Sequence, residues 1–186
     1  IVRLSKIDKL ERIRLGSLEP RIITEEFAQT LGNNPKLCPH FHLSLQSGCD
    51  MTLKRMNRKY TTKEYKEKCD LLRKYFDNPA ITTDVIVGFP GESEEEFNQS
   101  EKFLEDIRFS QMHIFKYSVR KGTVAEKMPN QVNNKTKKNR SNKLIKLAEE
   151  MQEEYMSSFI NKTEKVLIEE EIEVNGVTYQ VGHSQR

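Results

Sequence analysis

Apolar positions recur along this chain with two periods, and the alternation between them lays out the elements. Spacings of three and four residues predict helices, and β-branched runs or strict alternation predict strands. Val2, Leu4, Ile7 and Leu10 are spaced for an amphipathic helix over the first ten residues, though no N-cap precedes them. Residues 12–17 alternate charged and apolar side chains and then break at Gly16 and Pro20, which predicts a strand with a polar exit at Glu19. Thr24, with Glu25 and Glu26, starts a helix to about Leu31 that Gly32 and Asn33 end. Residues 41–46 predict the next strand, turned by Ser47 and Gly48, and Asp50 is placed to cap a short helix to Met56. Thr61 and Glu64 form a capping box ahead of a longer helix with Tyr65, Cys69, Leu72 and Phe76 on one face.

The organising stretch is residues 81–97, ITTDVIVGFPGESEEEF. Val85, Ile86 and Val87 predict a strand buried on both faces. Asp84 interrupts that run, and an ionised carboxylate there is costly unless something pairs with it. Gly88 to Gly91 turns the chain, and Ser93 with Glu96 caps a helix whose buried stripe is Phe97, Leu104 and Ile107. Residues 112–118 predict a further strand. Strands and helices taking turns imply βαβ crossovers and an α/β fold with a parallel sheet. Ligands of such folds bind at the C-terminal ends of the strands, so residues 81–97 are expected to form one wall of a cofactor site.

After Pro129 the texture changes. Residues 133–161 predict one long helix with an apolar stripe of Leu144, Leu147, Met151, Tyr155 and Phe159. From Lys165 the alternation returns, and Val174-Asn175-Gly176-Val177 reads as a hairpin turn. Three parts are expected: residues 1–129, a connecting helix over 130–163, and an incomplete β segment over 164–186.

Composition sharpens this division. With 35% hydrophobic and 32% charged residues among 186, the core is lean for a barrel. The net charge of +3 is unevenly spread: nine basic residues lie between Arg120 and Lys146 against one acid, Glu126. Such a block suits a polyanionic partner or a solvated helix face. No apolar run approaches the ~20 residues of a membrane helix. Cys38, Cys49 and Cys69 make neither a disulfide framework nor a metal motif, and a reducing cytosol is the expected compartment. Both ends fall inside patterned segments, so the chain is expected to be a piece of a longer protein.

Five polar groups carry the candidate chemistry. Glu19, Gln46 with Ser47, Asp84 and Tyr117 sit at strand ends, and Arg58 lies in the loop after a helix. Arginine can clamp a carboxylate, an acid can receive an ammonium group, and Asp or Gln can bind ribose hydroxyls, so the set suits a zwitterionic ligand with a sugar diol. The blander alternative has Glu19 capping a helix, Arg58 on the surface and Asp84 paired locally. His40 and His42 share a strand face and could bind a metal, but further ligands are wanting. Glu92 and the acids after it argue against phosphate binding at residues 88–92.

RIRLGSLEP (residues 12–20), HLSLQSGCDMTLKRMNRKY (42–60) and TDVIVGFPGESEEEF (83–97) resemble the core motifs of the radical S-adenosylmethionine methylthiotransferases. The order of these motifs is also similar to that in the wider subset containing anaerobic coproporphyrinogen dehydrogenase. The resemblance implies the C-terminal part of an open (β/α)6, TIM-like radical-SAM barrel, then the long helix and the start of a TRAM-like RNA-binding β-barrel. It also implies S-adenosylmethionine at Glu19, Gln46, Arg58 and Asp84, with Ser47 and Gly88 expected beside them. The basic block is then expected to place tRNA along Arg120, Lys135, Lys137, Lys138 and Arg140, or else to solvate a linker helix. SLEP and HLSLQSG look most like the branch acting on threonylcarbamoyladenosine beside the anticodon. Methylthiotransferases acting on isopentenyladenosine or a ribosomal protein, and a non-catalytic RNA-binding module, are the alternatives. The family's CxxxCxxC and the three cysteines of its auxiliary cluster are absent, so the two 4Fe-4S clusters of an intact enzyme have no ligands here. This chain alone is therefore expected to be inactive, to contribute no catalytic or metal-binding residue, and to self-associate through the 12–17 edge.

Overall fold

The structure, a computed structural model, describes residues 1–186. Its centre is a sheet of four parallel strands in chain order: β1 (Ser17–Leu18), β2 (His40–Leu43), β3 (Ala80–Val87) and β4 (Gln111–Lys116). Helices α1 (Glu25–Gly32), α2 (Asp50–Arg55), α3 (Thr62–Tyr75) and α4 (Glu94–Ile107) occupy the crossovers. The predicted stretch around Asp84 is the longest of the four strands and pairs with β2 on one side and β4 on the other. Thr83, Val85 and Val87 are buried against the helices, while Asp84 and Ile86 on the opposite face are half-exposed. Both capping boxes form as expected, Thr61 with Glu64 and Ser93 with Glu96. They aim Tyr65, Cys69 and Leu72, and Phe97, Leu104 and Ile107, into one core.

The strand predicted over residues 41–46 ends at Leu43, for a visible reason. Thr83 Oγ1 accepts the Leu45 N–H at 2.9 Å and donates to the Leu43 carbonyl at 2.6 Å, replacing two ladder bonds with side-chain ones. Gln46 then takes a left-handed φ of 74° and rejoins β3 by a single bridge to Val85. Other expectations need correcting. The first ten residues contain only a 3-10 turn, Leu4–Lys6, because Val2, Leu4 and Ile7 find nothing to pack against and remain about half exposed. Residues 12–17 give one bridge, Ile13 to Leu37, before β1 begins at Ser17. Asp50 does not cap α2; its carboxylate accepts the Thr62 N–H at the start of α3 at 2.7 Å.

The long helix is α5 (Asn134–Ser157), capped by the Asn133 side chain. It packs against β4, β3 and α4, with Leu144 and Met151 in the core, so its basic first half is no solvated linker. The hairpin is β5 (Leu167–Val174) and β6 (Val177–His183), turned at Asn175 and Gly176, both with positive φ. Positive φ at both central residues is the turn whose twist suits a two-residue hairpin. Beyond it, Arg12 donates to the Lys165 and His183 carbonyls, and Arg14 to those of Ser184 and Arg186.

Candidate functional site

A cavity of about 520 Å³ opens at the C-terminal ends of β3 and β4. Gln46, Asp84, Ile86, Phe89 and Tyr117 line it, with Arg120 at its rim. A second recess of about 480 Å³ shares Ile86, Phe89 and Ala125 with the first and is lined by Arg58. Gln46 and Asp84 therefore meet in one cavity, and Arg58 stands in the next. Glu19 is exposed just past β1 and lines neither. Its charge and that of Arg58 both act on Tyr60, whose hydroxyl donates to the Ser44 and Leu45 carbonyls. Burial pushes the Tyr60 phenol up to about 12, with Arg58 opposing and Glu19 reinforcing the shift.

The backbone explains why these side chains converge. Gln46 donates its N–H to the Asp84 carbonyl and accepts from Ile86, both at 2.9 Å, which sends its carboxamide into the cavity. The partner that Asp84 needs is His42: Nε2 lies 3.3 Å from Oδ2, and Nδ1 lies 2.9 Å from Thr82 Oγ1. Parallel register places His42 opposite Thr82, one step along the same face from Asp84. Tyr117 presents a buried hydroxyl with no partner.

Besides Glu19, two more expected site residues line neither recess. Ser47 is buried, and its hydroxyl accepts the Cys49 N–H. Gly88 is buried too, and its N–H donates to Glu92 Oε2 at 2.6 Å. Both shape the turns that carry Gln46 and Phe89.

Two expected RNA-facing residues also point inward. Arg140 donates to Glu92 Oε2 at 2.7 Å, to the Glu92 carbonyl at 3.0 Å and to Glu94 Oε2 at 3.0 Å. Its side chain is 6% exposed and that of Glu92 2%, which makes this a buried ion pair. Lys137 donates to the Tyr117 carbonyl at 3.0 Å, its ammonium 5.0 Å from that ring's centre. Neither side chain is available to a phosphate. Lys135, Lys138 and Arg120 are exposed. From the other side Arg55 grips the same loop, pairing with Glu96 and donating to the Pro90 carbonyl. The loop between β3 and α4 is thus clamped by α2 and α5. Burial raises the Glu92 carboxyl above its ordinary range, against the pull of the Gly88 N–H and Arg140.

The family described as the Radical SAM superfamily matches residues 1–104. The threonylcarbamoyladenosine tRNA methylthiotransferase MtaB of Bacillus subtilis is 39% identical over 166 residues, which are 89% of this chain and 37% of that protein. The tRNA-2-methylthio-N(6)-dimethylallyladenosine synthase of Alkaliphilus oremlandii is 40% identical over 166 residues, 89% of this chain and 35% of that one. The chain thus spans little more than a third of the length of these curated relatives. Among solved structures, the coproporphyrinogen III oxidase of Escherichia coli, described as a radical SAM enzyme, superimposes with a TM-score of 0.62 at 14% identity. That match covers 75% of this chain and 32% of the other, and it supports the likeness of fold alone.

Proposed function

The chain belongs to the radical SAM superfamily, and from that premise we propose that it is the S-adenosylmethionine-binding, C-terminal part of a tRNA methylthiotransferase. The observation that carries this reading is the meeting of Gln46 and Asp84 in one cavity, with Arg58 lining the recess beside it. The donor set fits the cofactor. Asp84 and Gln46 can receive and donate hydrogen bonds at ribose hydroxyls, and Arg58 can clamp the methionine carboxylate. Phe89 and Tyr117 offer aromatic surface, and the unpartnered Tyr117 hydroxyl awaits an acceptor or donor. Glu19 lies exposed just past β1 and lines neither recess, so its assignment to the ammonium group rests on the resemblance of SLEP. When bound, S-adenosylmethionine supplies radical chemistry at the adenine of the substrate nucleotide; the protein supplies position and field. Three thiolates must converge to hold an iron–sulfur cluster. Cys38 in the loop before β2, Cys49 at the turn into α2 and Cys69 in α3 are all buried, and we read them as structural thiols and not cluster ligands.

Asp84→Ala is expected to weaken S-adenosylmethionine binding by about 1–3 kcal/mol, the loss of a charge-assisted hydrogen bond with its partner left unpaired. Calorimetric titration of the chain and the variant measures this; equal affinities would remove Asp84 from the site.

The substrate we favour is N6-threonylcarbamoyladenosine next to the anticodon, on the strength of SLEP and HLSLQSG. Dimethylallyladenosine is the second reading, since a synthase of that type is equally similar. Mass spectrometry of tRNA nucleosides from a strain lacking the gene separates them by which methylthio product disappears. The hairpin over residues 164–186 we read as the start of a TRAM-like RNA-binding barrel in a cytoplasmic enzyme. Charge reversal at Arg120, Lys135 and Lys138 together should weaken tRNA binding and reduce the log–log salt slope by roughly 2–3, at 0.7–0.9 per phosphate contact. An unchanged slope in filter-binding titrations would remove this face from the RNA path.

A further inference from the structure

We propose that His42, Asp84 and His113 form a binding site for one divalent transition-metal ion of the zinc type. The three come from three neighbouring strands. Asp84 and His113 are register partners across β3 and β4, and His42 stands opposite Thr82 on β2, so all three project from the sheet face away from the helices. One ligand atom from each lies within 4.8 Å of the other two.

The geometry is half made. His42 Nε2 and Asp84 Oδ2 are 3.3 Å apart, and two donors at about 2.0–2.1 Å from a tetrahedral zinc are separated by about that distance. Thr82 Oγ1, 2.9 Å from His42 Nδ1, can accept the Nδ1 proton. In the free chain Nε2–H can donate to Asp84; an ion would replace that proton, with the Nδ1 proton then held by Thr82, as for a ligand whose other ring nitrogen is held by the protein. His113 is exposed on the edge strand β4, where its side chain has room to turn toward the other two. Two imidazoles and one carboxylate select zinc, cobalt, nickel or copper over magnesium or calcium, which want oxygen donors. Three protein ligands leave a coordination position open to solvent.

The site also bears on the proposed function, and this consequence rests on that reading. Asp84 lines the cavity, so an ion held there would occupy the space and neutralise the charge that the cofactor would meet, and zinc and S-adenosylmethionine should compete.

Cobalt(II), a spectroscopic stand-in for zinc, tests the site in the intact chain. Visible ligand-field absorption should saturate at one cobalt per chain and be displaced by zinc. His113→Ala, at an exposed position that leaves the core untouched, should abolish saturable binding. Thr82→Val should weaken it by about 10–100-fold, as loss of a ligand's supporting partner does. His183→Ala should leave it intact, although His183 faces Glu169 in the hairpin and is the competing imidazole–carboxylate pair. No saturable spectrum, or one that survives His113→Ala and vanishes with His183→Ala, would overturn the site. Zinc should raise the apparent Kd for S-adenosylmethionine in the wild type and not in His113→Ala. Metal binding with cofactor affinity unmoved would overturn the competition. Absence of all cofactor binding would overturn the cofactor reading, while the metal site would stand on the cobalt titration.

Discussion

Replacing Arg140 with alanine should lower the stability of the chain by about 3–5 kcal/mol, the cost of leaving a buried charge without its partner. Glu92 would keep only the Gly88 N–H as a close donor, in a place where its side chain is 2% exposed. The loss should depend on pH with a definite sign. Burial raises the folded-state pKa of Glu92 above its unfolded value, so between the two values the native state binds more protons than the unfolded chain. Stability contributed by this group therefore falls as pH rises through that window and grows as pH is lowered. Without Arg140 the folded pKa rises further and the window widens. The deficit of Arg140→Ala should be largest above the window and shrink on acidification, as urea unfolding at a series of pH values would record. A deficit independent of pH would mean that lost packing against Phe97, 5.1 Å from the guanidinium, dominates. Glu92→Gln combined with Arg140→Met should cost far less than the two single changes added together, because residues sharing one ion pair are not additive.

Gly88→Ala should destabilise by about 2–5 kcal/mol, from two sources that can be separated. The backbone at Gly88 has φ of 74°, which costs a residue with a Cβ about 1–2 kcal/mol. The added methyl would also stand 2.4 Å from Lys137 Cγ, and overpacking of this kind typically costs about 1–3 kcal/mol. In the background Lys137→Ala the clash disappears and the torsional strain remains. The double variant should thus recover the steric part of the loss and no more. Coupling near zero in that cycle would place Lys137 elsewhere in solution. Because Phe89 follows Gly88 and walls both recesses, cofactor affinity should fall with stability in the single variant and return in part in the double.

Much of the fold could be read from local chemistry, and the failures have a common cause. The two capping boxes, the central strand and the Asn175-Gly176 turn are determined by neighbours three or four residues away, and each formed where expected. The first ten residues carry a helical pattern too, but an amphipathic stripe becomes a stable helix only when something covers it. Lys137 and Arg140 looked like part of a solvated basic face because nothing nearby in sequence is acidic. Their partners, the Tyr117 carbonyl and Glu92, lie 20 and 48 residues away. The helical spacing of Lys137, Arg140, Ser141 and Leu144 was a usable signal: a cation inside an apolar stripe points to a buried acid. Asp84 was legible as a charge in want of a partner. That the partner is His42, and that His113 stands beside it, depends on strand register, which no local pattern encodes.

The 48-residue separation of Glu92 and Arg140 sets an order of events while the chain is being made. At about 5–20 residues per second, the loop after β3 leaves the ribosome roughly 2–10 s before the guanidinium that completes it. During that interval Glu92 cannot be buried as an anion without a counter-charge, and the loop has to stay hydrated and open. The cavity at the strand ends, walled by Phe89 of that loop, therefore takes its final shape only once the first turns of α5 have emerged. Synthesis halted between β4 and α5 should yield a nascent chain with a formed β2–β3–β4 sheet and an unformed cavity, so that the step that shapes the cavity is the arrival of a helix and not the closing of the sheet.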